Sequence, residues 1–337
     1  MKLINVTKQF ATEEACLDYL EHMRWPTGLC CIECGSVKVE RLKLNIRPRK
    51  EPAKPNSRKR AAQRAASRRV YQCLERECLA QFTATAGTIF HKTHLPLNIW
   101  FMAIALTCEA KKGISANQLK RHLGVNYRTA WFLCHRIREA MIERGPLGEN
   151  GETVEVDETY VGGKVPRKGR PYRPRKSKDV VMGMVERGGK LRLIQVADSK
   201  IAIIKPVVEE HVSHKAGFIV TDEHPIYYWA LPHKYPGKHK TICHKTSYGI
   251  GDIHTNTIEN AFSLFKRSVI GTFHKLSIKH LQRYLEEFSY RFNRRDEQPK
   301  MFEETVRNLL NTIKLPYKTL IASPISESWG HASPPSS

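Results

Sequence analysis

The chain has 337 residues, with 56 Lys and Arg against 33 Asp and Glu, which gives a formal net charge of +23 and an isoelectric point near 9.7. This length allows one large core with one or two small modules. The excess of basic residues favours a nucleic acid over a membrane surface as the partner. The alternative is a basic surface that binds no polyanion. There is no apolar run of about eighteen residues and no signal-peptide core, and nine cysteines are too few for a disulfide scaffold, so we expect an intracellular protein.

Residues 1–93 predict a helix followed by a small metal-binding module. Residues 12–25 carry apolar side chains at helical spacing, and Thr12 is a suitable N-cap. Two cysteine pairs follow, and four thiolates in such pairs bind one structural Zn²⁺ ion in tetrahedral geometry. The expected zinc ligands are Cys31, Cys34, Cys73 and Cys78. Free cysteines are the alternative, and Cys30 is a spare thiol that could compete with Cys31. Residues 82–90 predict a strand that closes the module.

A basic insert, residues 41–69, separates the two cysteine pairs. It contains twelve Lys or Arg and one acid, Glu51. Its proline-containing part predicts an extended or disordered segment, whereas its Ala/Arg part could become a helix on a phosphate backbone. Such contacts would be driven by charge and would weaken steeply with salt. A solvated linker is the alternative.

Residues 94–146 predict a helix-turn-helix module. An apolar helix over 96–110 precedes two short helices, the first of which begins at a capping box of Ser115 and Gln118 and ends at a tight turn at Gly124. In this motif the N-terminal end of the second helix enters the major groove, so the candidates for DNA contact are Asn126, Tyr127, Arg128 and Thr129. The buried face of that helix is expected to hold Trp131, Leu133, Ile137 and Met141. A helical hairpin that only packs against the next domain is the alternative.

Three acidic residues within residues 150–295 are candidates for one metal site. Residues 153–163 predict a strand, and Asp157 inside it is costly to bury unless a cation meets it, whereas Glu155 needs no such explanation. Residues 218–222 predict a second strand ending in Asp222, and Glu259 lies at the start of a helical pattern. Such acids can converge at one sheet edge, where oxygen ligands suit a pair of Mg²⁺ or Mn²⁺ ions. A metal pair of this kind promotes phosphoryl transfer.

The remaining patterns complete an α/β domain. Two strands and a helix are predicted between the first two acids, and a fifth strand follows the second acid, over residues 180–186, 191–196, 203–213 and 240–244. An amphipathic helix from Ile278 to Phe292 should cover the sheet. The C-terminal segment 296–322 predicts a helix near 302–314, and the Ser/Pro-rich tail 323–337 predicts disorder.

Several residues near the three acids are candidates for DNA contact. Residues 164–178, which begin at Lys164, hold eight Lys or Arg and no acid, and a solvated loop is their alternative function. Lys266 lies two helical turns after Glu259 and Arg267 follows it. Four residues that follow Asp222 closely could contact the separated end of a DNA strand, although aromatic residues after a β-strand more often lie in the core. They are His224, Tyr227, Tyr228 and Trp229. The possible accessory residues are His244, His254 and Asn256.

The motifs around the acids resemble those of DDE-type insertion-sequence transposases of the ISXO-like group, which carry an N-terminal zinc ribbon. The matching segments are residues 156–164, 221–223, 254–259, 264–267, 271–275 and 280–288. The resemblance implies a ribonuclease-H-like mixed sheet flanked by helices, with acids from its first and fourth strands. The second cysteine pair departs from the family pattern, because it is C-x4-C where the family has C-x2-C. The family's third acidic position varies in residue type, which leaves His254 and Asn256 as alternatives to Glu259.

The leading functional hypothesis is a cut-and-paste DNA transposase. Its zinc ribbon and helix-turn-helix would bind the inverted-repeat ends of its element in double-stranded DNA, and the catalytic domain would cut these ends and join them to target DNA. Because two ends must be paired, a homo-oligomer on DNA is expected. One alternative is a catalytically silent DNA-binding regulator, which would have no use for three acids near a polyanion. Another is a nuclease of the same fold, which would leave only cut ends.

Overall fold

The structure, a computed structural model, describes residues 1–42, 69–162, 179–231, 234–242 and 253–322. Most of the basic insert, the basic segment that begins at Lys164, residue His244 and the C-terminal tail lie outside the described residues, so the predictions made for them stay predictions. No helix within the described ranges is long and apolar enough to cross a membrane.

Five described helices precede the large sheet and pack together in one apolar cluster. They are α1 (Leu3–Gln9), α2 (Glu13–Arg24), α3 (Leu97–Glu109), α4 (Ala116–Leu123) and α5 (Tyr127–Glu139). Helix α2 begins where the sequence predicts, because the Thr12 side chain accepts a hydrogen bond from the N–H of Ala15 at 3.2 Å. Helix α3 matches the predicted apolar helix, and its Trp100 and Phe101 are fully buried. Helix α1 is an addition to the predicted elements.

The C-terminal helices return to this N-terminal cluster. They are α10 (Gln298–Asn311), which begins four residues before the predicted range, and α11 (Tyr317–Ala322). Phe302 of α10 packs between Phe10 and Phe101, with ring centroids 6.0 Å and 5.9 Å away. The two ends of the described chain therefore share one core, while the predicted domain boundaries after residues 93, 146 and 295 stay predictions.

A small antiparallel sheet carries the cysteine module. Its strands, in the order β1-β2-β3, are β1 (Val39–Arg41), β2 (Tyr71–Cys73) and β3 (Gln81–Phe82). The predicted strand over 82–90 is wrong, because β3 ends at Phe82 and turns follow. The Thr88 hydroxyl donates to the carbonyl of Thr85 at 2.8 Å, and Gly87 has a φ of 73°. These turns bury Ile89 in the helical cluster instead.

The large sheet has five strands in the order β6-β5-β4-β7-β8. They are β4 (Val154–Val161), β5 (Asp179–Glu186), β6 (Leu191–Val196), β7 (Ile219–Asp222) and β8 (His239–Ile242). Strand β5 runs antiparallel to both β4 and β6, whereas β7 runs parallel to both β4 and β8. This mixed arrangement is the ribonuclease-H-like sheet that the sequence predicts.

Helices cover both faces of the large sheet. On one face, Val156 and Met182 pack against α6 (Ile201–His211) and α7 (Pro225–Ala230). On the other face, the side chains of Val181, Val185 and Leu193 pack against α8 (Asn256–Ser268) and α9 (Leu281–Asn293). Alternate residues of each strand therefore enter two separate apolar clusters, as the period of two in a strand requires.

Helix α9 begins at Leu281, so its predicted start at Ile278 is wrong. A single 3₁₀ turn, Ile278–His280, precedes the helix and leaves the Ile278 side chain 53% exposed.

Side chains of helix α9 form hydrogen bonds with backbone groups on the outer edge of β6, the first strand in the sheet order. The Gln282 side chain accepts from the N–H of Gln195 at 2.7 Å and donates to the carbonyl of Leu193 at 3.1 Å. Asn293 makes the equivalent pair with Leu191, at 2.6 Å and 3.1 Å.

Ion pairs join helix α5 to helix α9. Arg138 donates to Glu287 at 2.6 Å, and both side chains are almost fully buried. Arg283 of α9 pairs with Glu139 at the end of α5. The C-terminal half of α5 is therefore packed against α9 of the large-sheet domain, while its N-terminal end stays exposed. The helical hairpin of α4 and α5 thus packs against the next domain through α5, as the alternative prediction states, and the N-terminal end of α5 is also accessible to a ligand.

Candidate active site and zinc cluster

The four predicted zinc ligands converge at the base of the small sheet. The Cys31 and Cys78 sulfurs are 3.7 Å apart, the Cys34 and Cys73 sulfurs are 3.6 Å apart, and all four lie within 4.8 Å of one another. Burial by itself would raise the pKa of Cys31, but hydrogen bonds lower it to about 7, which favours a thiolate there. A hydrogen bond from the backbone of Glu75 would lower the pKa of Cys73, but burial and the neighbouring thiols outweigh it and raise that pKa to about 12. The cluster is zinc-ribbon-like, and its donor set and spacing suit one structural Zn²⁺ ion. The C-x4-C spacing of the second pair does not prevent this convergence.

Replacing Cys73 with serine should release this zinc and unfold the small sheet, because zinc binding supplies on the order of 10 kcal/mol to the folding of such modules. Mass spectrometry should show zinc falling from about one ion per chain to almost none. Hydrogen exchange over residues 25–42 and 69–90 should accelerate together. Cys30→Ser is the matched control and should keep its zinc. A Cys73→Ser protein that still binds zinc would contradict the assignment.

Asp157 and Asp222 lie side by side on two parallel strands at the centre of the large sheet. Strands β4 and β7 pair with Val154 opposite Ile219 and Glu155 opposite Val220. Continued by two residues, this register brings Asp222 next to Asp157, and the charge of Asp222 acts on the pKa of Asp157. Neighbouring strands are about 4.8 Å apart, so the two side chains leave the same face of the sheet at close range. The structure therefore brings together the two strand acids that the sequence singles out.

Glu259 reaches the same region from helix α8. The helix packs closely on β5, since a Cβ added to Gly183 would lie 2.6 Å from atoms of both Ile258 and Phe262. Gly183 is the cross-strand neighbour of Asp157, so α8 crosses the sheet beside that carboxylate. The Thr255 hydroxyl donates to Glu259 at 3.0 Å, which orients the carboxylate in the first turn of α8. A glycine in β5 thus permits the close approach of the third acid.

Negative charge accumulates around Asp157. Burial raises its pKa to about 7, and the carboxylates of Asp222, Glu158 and Glu259 act in the same direction, against the hydrogen bond that Asp157 accepts from the N–H of Glu158. A carboxyl group perturbed in this way, beside two further acids, is typical of a functional site. These three oxygen donors favour a hard divalent cation that would offset their repulsion.

A cleft of about 400 Å³ extends along α8 from these acids. Asp157 and Glu259 line it together with Lys266, Arg267 and Ile270. Both Lys266 and Arg267 are exposed, so their charges are available to a ligand. The cleft therefore has a negative end suited to metal ions and a positive wall suited to phosphate.

The expectation that Glu155 needs no explanation is wrong, because this acid is completely buried and pairs with Arg187 at 3.0 Å. The strand period could have identified it, because Glu155 and Asp157 are two residues apart and so share one face. His254 lies against this acid, with its Nδ1 atom 3.2 Å from Glu155 Oε1. The exposed Asn256 is the first residue of α8. In the part of the chain that the structure describes, neither His254 nor Asn256 lines the cleft.

The residues after Asp222 divide between core and surface. Tyr227 is fully buried and its hydroxyl donates to Glu158, which ties α7 to β4. Burial and the charge of Glu158 raise the pKa of Tyr227. Tyr228 and Trp229 are 57% and 73% exposed. The core interpretation is therefore right for Tyr227, while the two following rings are free to meet a ligand.

The helix-turn-helix geometry follows the predicted capping pattern. Ser115 caps α4 by accepting from the N–H of Gln118 at 3.2 Å, and Gly124 ends that helix in the left-handed region at φ 63°. Asn126 caps α5 by accepting from the N–H of Thr129 at 2.8 Å, so its carbonyl oxygen has a structural role. Tyr127 is 48% exposed.

Contacts with α11 orient the exposed end of α5. The Arg128 guanidinium stacks 4.4 Å from the ring centroid of Tyr317. Of the predicted buried face, Leu133, Ile137 and Met141 are buried, whereas Trp131 is only partly covered. The C-terminal helix thus supports the part of α5 that the sequence predicts to contact DNA.

Two family models match the chain. The ISXO2-like transposase domain matches residues 149–293, which contain the large sheet and the three acids, and the transposase zinc-ribbon domain matches residues 11–81. Together the two matches span more than half of the chain.

Individual proteins show more distant similarity. An uncharacterized protein in transposable element ISH50 of Halobacterium salinarum is 27% identical over 164 residues, which cover 48% of this chain and 46% of the relative. The chain thus spans about half the length of the curated relative that it matches. The crystal structure of a pre-cleavage Mos1 transpososome matches with a TM-score of 0.23 and 12% identity, over 64% of this chain and 79% of that one. On these two matches, the chain combines an ISXO2-like DDE transposase domain with an N-terminal transposase zinc-ribbon domain.

Proposed function

We propose that the protein cuts the inverted-repeat ends of its insertion sequence and joins them to target DNA. The observation that carries this proposal is that Asp157 lies close to Asp222 and Glu259, and that Asp157 and Glu259 line one cleft together with Lys266 and Arg267. An acidic centre beside a cationic wall suits a phosphodiester bound next to metal ions.

The three acids would hold a pair of Mg²⁺ or Mn²⁺ ions. Three carboxylates at one sheet edge supply the oxygen ligands that two ions about 4 Å apart share in sites of this kind. When bound, such ions supply an activated attacking oxygen and stabilise the charge of the leaving oxygen.

The cationic side chains would position the DNA strand. Lys266 and Arg267 would bind phosphates on either side of the scissile bond, where a guanidinium can make two parallel hydrogen bonds to one phosphate. The predicted basic segment from Lys164 would add charge near the same acids. Such contacts fix the register of the strand without reading its sequence.

The exposed end of α5 would read the element ends. Tyr127, Arg128 and Thr129 would contact bases or phosphates in the major groove, and the free amide nitrogen of Asn126 could join them. The zinc ribbon would bind the same DNA outside this groove contact. Pairing of two ends requires at least two chains, so the active form is a homo-oligomer on DNA.

A strand-transfer assay tests this function. The purified protein is mixed with a labelled duplex that carries the terminal repeat flanking its gene, a second unlabelled duplex, and Mg²⁺, Mn²⁺ or EDTA. We expect metal-dependent cutting at the repeat end followed by joining to the second duplex. Cut ends that are never joined would favour a nuclease and overturn strand transfer. Tight binding without cutting in either metal would overturn catalysis and favour a DNA-binding regulator.

A further inference from the structure

The buried carboxylate of Glu155 connects strand β4 to the start of helix α8. Its Oε2 atom accepts from the N–H groups of Thr257 at 2.9 Å and Ile258 at 3.1 Å. Its Oε1 atom accepts from the Thr257 hydroxyl at 3.0 Å and from Arg187 Nε at 3.0 Å. One side chain on the sheet thus makes four hydrogen bonds, three of them to the first turn of α8.

These bonds replace the ordinary cap of α8. The first N–H groups of a helix lack partners within the helix and are usually satisfied by the N-cap side chain. Thr255, at the N-cap position, makes no side-chain cap, and its hydroxyl donates to Glu259 at 3.0 Å instead. Glu155 therefore supplies the cap from a different element, and its negative charge suits the positive end of the helix dipole.

The location of this cap connects two of the three acids. Glu155 precedes Asp157 by two residues on β4, so the two side chains share a face and lie about 7 Å apart along the strand. On the helix, Thr257 and Ile258 directly precede Glu259. The same carboxylate is therefore bonded to the residues adjacent to Glu259 and is fixed in register with Asp157.

Arg187 extends the connection to the segment before α8. Its Nη2 atom donates to the carbonyl of His254 at 2.9 Å, and its backbone N–H donates to the carbonyl of Thr153 at 3.0 Å. The guanidinium neutralises Glu155, so this buried acid adds no net charge to the site. The chain that leads into α8 is thus held at both His254 and Thr257.

We propose that Glu155 is a positioning residue that sets the separation of Asp157 and Glu259, and hence the affinity of the site for its metal ions. This inference rests on the proposed function, because it assumes that the two acids bind metal. Glu155 is not itself a ligand, because its two oxygens already accept four hydrogen bonds and its charge is paired with Arg187.

The test compares full-length Glu155→Gln with the wild type in metal-free buffer and during Mn²⁺ titration. Glutamine keeps the size of the side chain, but it has one acceptor oxygen and presents an NH₂ group to donors. We expect the amides of residues 257–259 at the start of α8 to exchange at least several-fold faster, with exchange in the large sheet unchanged. We also expect Mn²⁺ affinity, measured by calorimetry, to fall about 10-fold to 100-fold.

A matched control is Glu152→Gln, which neutralises an acid just before β4 whose carboxylate accepts from the N–H and the side-chain amide of Asn150. It should keep wild-type exchange and wild-type affinity. If Glu155 were a metal ligand, Glu155→Gln would lose affinity while residues 257–259 kept their protection. If its role were only structural, protection would fall across the whole sheet while the folded fraction bound Mn²⁺ normally. Either result overturns the proposal.

Two further variants complete the test. Thr257→Val removes the hydroxyl contact alone and should give a smaller change in the same direction, so it decides the question if Glu155→Gln does not fold. Asp157→Asn separates the inference from the proposed function. If the wild type shows no Mn²⁺ binding that Asp157→Asn removes, the metal site and the proposed function both fail. If such binding exists but Glu155→Gln and Thr257→Val leave it unchanged, only the positioning role fails.

Discussion

Asp157→Asn should lower the rate of metal-dependent DNA cutting by at least about 1,000-fold, which corresponds to roughly 4 kcal/mol of transition-state stabilisation. The substitution keeps the size of the side chain and removes the charge at the centre of the three acids. The variant should bind its terminal repeat with wild-type affinity, because the predicted recognition surface lies on α5. Cutting, joining and DNA binding can be measured on the same labelled duplex.

The stability of the same variant separates loss of chemistry from loss of folding. Asp157 is half-buried beside Asp222, Glu158 and Glu259, so removing its charge relieves repulsion in the metal-free protein. The Tm of metal-free Asp157→Asn should therefore equal or exceed that of the wild type. Loss of cutting together with a lower Tm would show damage to the fold. Retention of wild-type cutting would remove Asp157 from the catalytic site.

Glu287→Ala should produce the largest loss of stability among single substitutions in the ion pairs between α5 and α9. The Glu287 side chain is 1% exposed and accepts from both Arg138 and Arg291, whose side chains are 3% and 8% exposed. Its removal leaves two buried guanidinium groups without their shared acid, which costs about 3–5 kcal/mol. Thermal unfolding should show a Tm lower by roughly 10 °C.

The pH dependence of this contribution has a definite sign. Burial alone would raise the pKa of Glu287, but Arg291 and Arg138 outweigh it and hold the pKa below its ordinary value of 4.5. The stabilisation is therefore complete above the pKa of the unfolded chain and is lost as the pH falls through the lower folded value. The stability difference between wild type and Glu287→Ala should be constant near neutral pH and shrink only in acid.

A matched control for Glu287 lies on helix α10. Glu303 pairs with Arg307 at 3.1 Å in the same i,i+4 spacing as Glu287 with Arg291, but its side chain is 54% exposed. An exposed pair contributes little, so Glu303→Ala should change the free energy of unfolding by less than about 1 kcal/mol. Equal effects of the two substitutions would show that burial does not decide the strength of these pairs.

The sequence predicted the three acids because their signals are local. A run of β-branched residues around Asp157 and a short apolar run ending in Asp222 are sufficient to predict two strands, and the helical pattern around Glu259 is equally clear. Their proximity follows from the strand order of a ribonuclease-H-like sheet, which the resemblance implied. Their roles in catalysis stay predictions that the Asp157→Asn experiment addresses.

The missed features depend on contacts between distant parts of the chain. Glu155 bonds to residues more than a hundred positions away, so no window of sequence shows that it caps α8. The apolar Ile278 continues the pattern of α9 but lies in a turn that directs it to solvent. Ile89 continues the β-prone run of the sequence, yet it fills the helical core. Tertiary packing decides each of these cases.

The pairing of α9 with β6 also limits how two copies of the chain can meet. An unpaired strand edge offers its N–H and carbonyl groups to any other chain, which is a common route to aggregation. Here the amides of Gln282 and Asn293, each with a donor beside an acceptor, occupy those groups as a neighbouring strand would. A β-strand of another chain therefore cannot pair with β6 at these positions. A second copy of the chain would have to contact this one through another surface of the described residues.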